Sequence, residues 1–260
     1  MKIQFYKYQG VGNDFVMIDN RFANFVPEKE LIEKLCDRNF GIGADGLILL
    51  ENDANSDFQM VYFNSDGQVS TMCGNGGRCI VRFASDLGII QDTAKFQAID
   101  GFHEARIENE IIHLKMSNVV SVEKLPTHYF LNTGSPHHVE FVQVVDDVDV
   151  PNYGRIIRYG APYFNEGTNV NFVETLPGNA LKIRTYERGV EDETLACGTG
   201  VTAAAIAAYE AGKVNSDEVV VYAEGGELRV KFFKNPSGGF ENVWLSGPAE
   251  FVFKGLIEVE

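Results

Sequence analysis

The stretch that decides the fold is STMCGNGGRC, Ser70–Cys79, because a second stretch with the same layout, ETLACGTGVT, follows at Glu193–Thr202. Each stretch places a cysteine directly before a glycine-rich segment that has the composition of a helix start. The two cysteines, Cys73 and Cys197, lie 124 positions apart in a chain of 260 residues. The chain is therefore long enough to hold two units of this length, one around each cysteine.

Further residues repeat at the same offset and in the same order. The matched pairs around the cysteines are Gly74 with Gly198, Gly76 with Gly200, Ala84 with Ala208, and Gly88 with Gly212. One matched pair would mean little, but several segments that share one offset indicate a duplicated unit. We therefore predict two domains, at residues 1–120 and 121–260, with a last strand that can return to the first domain.

The segment after each cysteine is typical of a buried helix. Residues Gly198–Ala211 are apolar almost all round, and a helix without a polar face is buried on every side. The matching segment, Asn75–Leu87, is less uniformly apolar because it contains Arg78 and Arg82. A curved sheet around each helix is the simplest enclosure. We predict an α/β (α+β) fold of two pseudo-symmetric units, each a barrel-like sheet around a central helix, with the active site in the cleft between them.

Three other segments carry weaker predictions. Residues Pro27–Arg38 favour a helix, and the acidic run VVDDVDV, Val144–Val150, favours a solvated loop. The segment GIGADG, Gly41–Gly46, matches the dinucleotide fingerprint GxGxxG. It follows a helix-like segment and precedes a strand-like one, whereas the fingerprint follows a strand and opens a helix. It therefore predicts a turn.

The composition excludes several classes of protein. Hydrophobic residues make up 45% of the chain and charged residues 23%, which is typical of a globular protein. A net charge of −15 argues against a nucleic-acid partner, since phosphate binding relies on clustered Lys and Arg. No apolar run approaches the roughly 18 residues of a membrane helix. We expect a cytoplasmic protein with four thiols, in which Cys36 and Cys79 are small buried residues.

The two remaining cysteines are placed for acid–base chemistry. The first N–H groups of a helix lack partners inside the helix, and with the helix dipole they favour an anion such as a carboxylate. A thiol with a pKa of about 8.5 is only slightly ionised at neutral pH, and two adjacent thiolates would repel each other. A working pair therefore holds one thiolate and one thiol. One removes a proton from an α-carbon and the other returns a proton to it.

Five segments resemble the diaminopimelate epimerase family. They are GVGNDFVMID, FNSDGQVSTMCGNGGRC, GTNVNFVE, YERGVEDETLACGTG and LSGPAEFVFKG. The resemblance extends over nearly the whole chain. It implies an isomerase that interconverts LL- and meso-2,6-diaminopimelate for lysine and peptidoglycan precursor synthesis, with no metal, nucleotide or pyridoxal phosphate as cofactor. The expected partner is a small amino-acid substrate, and a homodimer is compatible with the resemblance.

The resemblance also implies roles for individual residues. Cys73 and Cys197 would be the catalytic base and acid. The residues that would bind substrate are Asn13, Asn64, Gly74, Asn75, Asn169, Glu187, Arg188, Gly198 and Thr199. His137 and Glu187 would tune the pKa values of the thiols. His138, next to His137 in a predicted strand, would point to the opposite face, so a metal shared by the two is not expected.

Two positions depart from the family pattern. Many members have Gln where this chain has Gly46, and Asn where it has Ser135, and both positions help to recognise the substrate. These departures leave open a two-cysteine racemase of another amino acid, such as histidine. A thiol redox protein is less favoured, because Cys73 and Cys197 lack a CxxC context. A non-catalytic ligand-binding relative is a third alternative.

Overall fold

The computed structural model describes residues 2–259, which form two compact units. Unit 1 contains the chain up to Leu114 and again from Gly247 onwards. Unit 2 runs from Lys115 to Ser246. The predicted domain bounds, residues 1–120 and 121–260, stay a prediction.

Unit 1 begins with a strand hairpin and ends with the last strand of the chain. Its strands are β1 (Lys2–Gly10), β2 (Asn13–Asp19), β3 (Gly46–Glu51), β4 (Phe58–Asn64), β5 (Val69–Ser70), β6 (Thr93–Ala98), β7 (Gly101–Glu108), β8 (Ile111–Lys115) and β18 (Glu250–Glu258). Its helices are α1 (Lys29–Cys36) and α2 (Gly74–Asp86).

Unit 2 repeats this order of elements. Its strands are β9 (Val122–Lys124), β10 (Tyr129–Asn132), β11 (Pro136–Val142), β12 (Asn169–Leu176), β13 (Ala180–Glu187), β14 (Asp192–Thr194), β15 (Glu218–Ala223), β16 (Gly226–Lys234) and β17 (Phe240–Gly247). Its helices are α3 (Val150–Tyr159) and α4 (Gly198–Glu210), and a 3₁₀ turn spans Val145–Asp147.

The strands of the two units also pair in the same order. In unit 1 the order is β18–β1–β2–β3–β4–β6–β7–β8, and in unit 2 it is β9–β10–β11–β12–β13–β15–β16–β17. Both units contain parallel pairs at equivalent places, β2–β3 with β4–β6 and β11–β12 with β13–β15. The other pairs in these two orders are antiparallel. The predicted fold of two pseudo-symmetric α/β units is confirmed.

Each sheet curves around one helix. Helix α2 contacts β1, β2, β3 and β18, and helix α4 contacts β10, β11, β12, β13, β15 and β16. From Gly198 to Ala208, every residue of α4 except Thr199 is buried, as its apolar sequence predicts. Even so, within residues 2–259 no helix is both long and apolar enough to cross a bilayer.

Two local predictions need correction. The first helix is shorter than Pro27–Arg38, because it begins at Lys29 and ends at Cys36. The run Val144–Val150 is not a solvated loop, since Val145 and Val150 are fully buried. These two valines pack in an apolar cluster with residues of β12 and β13, and α3 begins within the run.

Candidate active site

Cys73 lies at the N-terminus of α2 in unit 1. Strand β5 ends at Ser70 and the helix begins at Gly74, so Cys73 occupies the N-cap position. Its sulfur lies 3.8 Å from Oδ1 of Asn13, the first residue of β2. Gly74 and Asn75 form the first turn of α2, where backbone N–H groups lack partners within the helix. The partly buried thiol therefore lies at the positive end of a helix.

A line of hydrogen bonds fixes the side chains around Cys73. Nδ2 of Asn75 donates to Oδ1 of Asn13 at 3.2 Å, and Nδ2 of Asn13 donates to Oδ2 of Asp45 at 2.6 Å. Arg38 ends the line with an ion pair to Asp45 at 2.7 Å. The structure thus brings three of the predicted site residues together: Cys73, Asn13 and Asn75.

Asn64 and Gly46 lie opposite each other where β4 ends and β3 begins. The backbone carbonyl of Asn64 also accepts from the N–H of Gly67 at 2.9 Å and closes a turn. A Cβ atom added at Gly46 would lie 2.5 Å from the carbonyl oxygen of Phe63 and 2.6 Å from the ring of Tyr62. Packing therefore requires glycine here, and the space of a larger residue is taken by the aromatic ring.

Cys197 lies at the N-terminus of α4 in the same way. The helix begins at Gly198, and the buried sulfur of Cys197 lies 3.4 Å from Oγ1 of Thr199. The hydroxyl of Thr133, in the loop after β10, donates to the carbonyl of Thr199 at 2.9 Å. The predicted residues Cys197, Gly198 and Thr199 thus form one group. The two cysteines occupy equivalent positions of the duplicated unit.

Asn169 joins two other predicted residues of unit 2. Its Nδ2 donates to Oγ of Ser135 at 3.0 Å, and its Oδ1 accepts from the backbone N–H of Arg188 at 2.9 Å. The exposed guanidinium of Arg188 also reaches Oγ of Ser135 at 3.5 Å. Ser135, Asn169 and Arg188 therefore form a polar cluster in which an exposed cation stands beside a buried amide.

Glu187 is tied to the segment that leads to Cys197. It is the last residue of β13 and pairs with Asp192 across the β13–β14 hairpin. Oγ1 of Thr194 donates to its carboxylate at 3.0 Å. Because Thr194 ends β14 three positions before the cysteine, this hydrogen bond holds the carboxylate in the strand pair that presents the thiol.

His137 is fully buried in β11 and is held as a neutral imidazole. Nδ2 of Asn171 donates to its Nδ1 at 3.1 Å, so the ring proton resides on Nε2. Within residues 2–259 that Nε2 has no hydrogen-bond partner. Burial, aided by the positive charge of Arg188, lowers the pKa of His137 to about 3. A protonated form is therefore absent near neutral pH.

The partner of His137 packs against the start of α4. A Cβ atom at Gly200 would lie 2.4 Å from Oδ1 of Asn171 and 3.4 Å from Cβ of Cys197. His138 has different surroundings, with Nδ1 3.0 Å from the hydroxyl of Tyr163. The two imidazole rings thus have separate partners, although Asn171 also donates to the backbone carbonyl of His138 at 2.9 Å. Asn171 connects His137 to the turn that carries the second thiol.

The other two cysteines are unsuited to acid–base chemistry. Cys36 and Cys79 are both buried, and burial raises the pKa of each thiol to about 12. They stay protonated at neutral pH, in agreement with their prediction as small buried residues.

Comparison with known proteins identifies the family. A model of the family "Diaminopimelate epimerase" matches residues 5–121 and 129–252. The chain belongs to the diaminopimelate epimerase family. It is 56% identical over 257 residues to the diaminopimelate epimerase of Flavobacterium psychrophilum, covering 98% of this chain and 100% of that one. It is 43% identical to that of Chlorobaculum tepidum, covering 95% and 98%. Membership makes the chain an isomerase.

Solved structures with little sequence identity share the fold of this diaminopimelate epimerase family member. A PhzF-family phenazine biosynthesis protein of Bacillus anthracis matches with a TM-score of 0.80 at 12% identity, over 100% of both chains. A hydroxyproline epimerase from Agrobacterium vitis matches with a TM-score of 0.72 at 14% identity, over 98% of this chain and 92% of that one. The duplicated fold is therefore common to proteins of different sequence.

Sequence analysis of this family member missed three polar residues near the cysteines. Asp45 accepts from Asn13, Asn171 donates to His137, and Arg78 lies buried in α2 close to Gly74. A signal existed for Arg78, because a charged residue at a buried helical position interrupts an apolar pattern. Asp45 carries no comparable signal, since short polar residues are common in turns. Asn171 lies within β12, and only the structure shows that it is buried beside His137.

Proposed function

We propose that the chain interconverts LL- and meso-2,6-diaminopimelate with two cysteines and no cofactor. The observation that carries the proposal is the equivalent placement of Cys73 and Cys197, each at the N-cap of the central helix of its unit. A duplicated helix start offers the same two elements twice, an anion-binding set of N–H groups and a thiol. Proton exchange on both faces of one α-carbon requires these two elements, one set for each face.

The proposed step moves one proton in and one proton out. The thiolate of one cysteine takes the α-proton and becomes a thiol, and the C–H electron pair stays on carbon as a carbanion. The thiol of the other cysteine then gives its proton to the opposite face and becomes the thiolate. Backbone N–H groups of Gly74, Asn75, Gly198 and Thr199 hold the substrate carboxylate and meet the developing charge.

The polar clusters of each unit supply the remaining substrate contacts of this proposal. In unit 1 these are the amides of Asn13 and Asn64. In unit 2 the fork of Arg188 can bind a carboxylate through two parallel hydrogen bonds, and Asn169 fixes its backbone. The carboxylate of Glu187 accepts hydrogen bonds from the ammonium group of the substrate.

His137 and Glu187 tune the second thiol in this proposal. The neutral imidazole, held by Asn171 behind the first turn of α4, adds no positive charge near Cys197. The Glu187 carboxylate, bonded to Thr194, adds negative charge on the strand before it. The negative charge of Glu187 disfavours a second negative charge on the neighbouring thiol, and a neutral His137 does not offset it.

Replacement of the cysteines tests the function. We expect Cys73→Ala and Cys197→Ala each to lower the rate of epimerisation of LL-diaminopimelate by a factor of about 10² to 10⁴, the range of a lost acid–base group. Cys36→Ala, which removes a buried thiol with a pKa of about 12, should keep the activity and serves as the matched control. Full activity in either active-site variant would refute the two-cysteine mechanism.

A racemase of another amino acid, such as histidine, is a second candidate. Gly46 has no room for a side chain, and Ser135 is engaged by Asn169, so two contacts of the family pattern are altered. A panel of amino acids assayed by chiral chromatography separates the candidates. Turnover of another amino acid with inert diaminopimelate would favour the second. Turnover that depends on an electron acceptor would instead indicate a redox protein.

We also propose a homodimer that forms through β18. This strand pairs with β1 on one edge, and its exposed apolar side chains include Phe251, Val252, Phe253 and Leu256. An exposed apolar edge strand is a surface that proteins cover. Sedimentation velocity of the parent protein should give twice the monomer mass. The variant Phe253→Lys should give the monomer mass. A wild-type monomer at micromolar concentration would refute the dimer.

We expect the enzyme to work in the cytoplasm, where thiols stay reduced.

A further inference from the structure

Arg158 lies in the last turn of α3 and is only 8% exposed, although it carries a charge. Burying a charge is costly unless the charge is paired and hydrogen-bonded, so the partners of this side chain indicate what it does. We propose that Arg158 is a positioning residue that fixes Arg188, the arginine that binds the far carboxylate of diaminopimelate in the proposed function. The inference rests on that function and adds the residue that sets where the Arg188 guanidinium lies.

Arg158 forms an ion pair with Glu191, in the turn between β13 and β14. Nε and Nη2 of Arg158 donate to Oε1 of Glu191 at 3.1 Å and 2.9 Å. The same Oε1 accepts from the backbone N–H of Gly189 at 3.1 Å. Gly189 directly follows Arg188 in the chain. The carboxylate that Arg158 holds therefore also holds the backbone next to Arg188.

The turn from Arg188 to Glu191 has a backbone conformation that needs this support. Glu191 has a φ of 61°, in the left-handed region that residues with a side chain disfavour, and Gly189 has a φ of 96°. The hydroxyl of Tyr186 donates to the carbonyl of Glu191 at 2.9 Å. The contacts of Glu191 with Arg158 and Tyr186 therefore stabilise a turn that its own backbone preference does not favour.

Arg158 also contacts the loop between α3 and β12. Its Nη1 donates to the carbonyl of Phe164 at 3.4 Å. A Cβ atom added at Gly167 would lie 1.9 Å from this Nη1, so the loop packs directly on the guanidinium. The ring of Tyr159 lies 4.4 Å from the guanidinium carbon. One buried side chain thus binds both the turn after β13 and the loop before β12.

That loop in turn holds the side chain of Arg188. Nη1 of Arg188 donates to the carbonyl of Glu166, the residue before Gly167, at 3.0 Å. The backbone N–H of Arg188 donates to Oδ1 of Asn169, two residues after Gly167, at 2.9 Å. Both the backbone and the guanidinium of Arg188 are therefore held by segments that Arg158 contacts.

A matched ion pair in the same hairpin serves as the control. Arg184 of β13 donates to the two carboxylate oxygens of Glu193 in β14 at 2.6 Å and 2.7 Å. Its Nη1 donates to the carbonyls of Val145 and Val148 at 3.2 Å and 2.8 Å. Arg184 thus binds a carboxylate and a neighbouring segment, as Arg158 does, but these partners lie outside the loop between α3 and β12. Its loss should lower stability without moving that loop.

Steady-state kinetics with LL-diaminopimelate test the role of Arg158. In Arg158→Met we expect KM to rise about tenfold and kcat to change by less than about threefold, because a misplaced far-carboxylate contact weakens the binding of substrate and transition state alike. Arg158→Lys, which keeps a charge for Glu191, should recover part of the lost affinity, and Arg184→Met should keep the KM of the parent. An unchanged KM in a folded Arg158→Met protein, or an equal rise in Arg184→Met, would overturn the inference.

A double substitution tests whether Arg158 acts through Arg188. We expect Arg188→Met to raise KM by itself, and Arg158→Met to raise it no further in that background, because the effects of coupled residues are not additive. A second rise of about tenfold in the double variant would show that Arg158 acts by another route and would overturn the inference.

Hydrogen exchange of the free enzyme tests the positioning without turnover. In Arg158→Met, the backbone amides of residues 165–169 and 188–191 should exchange at least about tenfold faster than in the parent, and in Arg184→Met they should not. Unchanged exchange in both segments of Arg158→Met would overturn the inference. If circular dichroism shows that this variant does not fold, Glu191→Asn provides the same test, since asparagine tolerates a left-handed φ but is shorter and uncharged.

Failure of the inference and failure of the proposed function give different results. Inert LL-diaminopimelate with the parent enzyme would refute the proposed function. The exchange rates of the two segments report whether Arg158 holds them in any folded protein, with or without a substrate.

Discussion

At the residue scale, Gly46 shows how packing restricts a position to glycine. Its missing Cβ would meet the backbone oxygen of Phe63, which cannot move without disturbing the β3–β4 pairing. We expect Gly46→Ala to lower the free energy of unfolding by about 1–3 kcal/mol, the usual effect of overpacking. Urea denaturation measures this change in the free energy of unfolding. Unfolding of Gly46→Ala at the same urea concentration as the parent protein would contradict this close packing.

His137 predicts how stability depends on pH. Its pKa is about 6.5 in an unfolded chain and about 3 in the fold. As the pH falls below 6.5 the unfolded chain binds a proton that the folded protein refuses, so stability is lost progressively until about pH 3. Between pH 6.5 and 4.5 this loss amounts to at most about 2–3 kcal/mol.

The variant His137→Asn isolates this contribution. We expect it to lose less stability than the parent protein between pH 7 and 4.5, because it has no imidazole to protonate on unfolding. His113→Asn, which removes a partly exposed imidazole of β8, is the control. Equal slopes of unfolding free energy against pH for His137→Asn and the parent would argue against a buried neutral His137.

Some site residues could be predicted from the sequence and others could not. Cys73 and Cys197 were predictable because a repeated motif surrounds them. The cluster of Ser135, Asn169 and Arg188 was not predictable as a cluster from residues alone, since the connection through α3 separates Ser135 from Asn169 in the chain. Only the parallel pairing of β11 with β12 places the first residues of these two strands side by side.

At the element scale, a substitution in α4 tests whether this helix is enclosed on all sides. Ala204 is fully buried in the middle of the helix. Ala204→Leu adds three carbon atoms to a filled core, and we expect it to lower the free energy of unfolding by about 1–3 kcal/mol. Ala54→Leu, in the exposed turn before β4, is the matched control and should change it by less than about 0.5 kcal/mol. Equal effects of the two substitutions would contradict the enclosed helix.

Helix α3 shows why some elements escaped the sequence analysis. Asp149 accepts a hydrogen bond from the N–H of Asn152, and a proline stands in the first turn, both standard signals of a helix start. These signals lie beside acidic residues that favour a solvated segment. The burial of Val145 and Val150 against β12 and β13 decides the outcome, and that contact is tertiary.

At the scale of the whole molecule, the chain returns to unit 1 at its end. β18 pairs with β1 from Lys2 to Gln9 and contacts α2. We expect truncation after Ala249 to raise the amide hydrogen-exchange rate of α2 at least about tenfold, while α4 keeps its protection. Lys254→Ser, which alters one exposed polar side chain of β18 and keeps its backbone, is the control. Equal loss of protection in α2 and α4 would show that the units do not unfold separately.

The duplication itself was predictable from the sequence, because its offset is nearly constant. The pairing order within each sheet was not, since parallel pairs such as β4–β6 join strands separated by a whole helix. Such non-local contacts leave no periodic trace in the sequence between them.

The central claim is that two thiols exchange protons with solvent at one α-carbon, and incubation in heavy water tests it most directly. Purified enzyme is incubated with LL-diaminopimelate in D₂O, and the product is analysed by chiral chromatography and mass spectrometry. We predict meso-diaminopimelate with one deuterium at the inverted α-carbon, and inversion slowed by a factor of about 10² to 10⁴ in Cys73→Ala and in Cys197→Ala. Inverted product without solvent deuterium, or undiminished inversion by either variant, would contradict the claim.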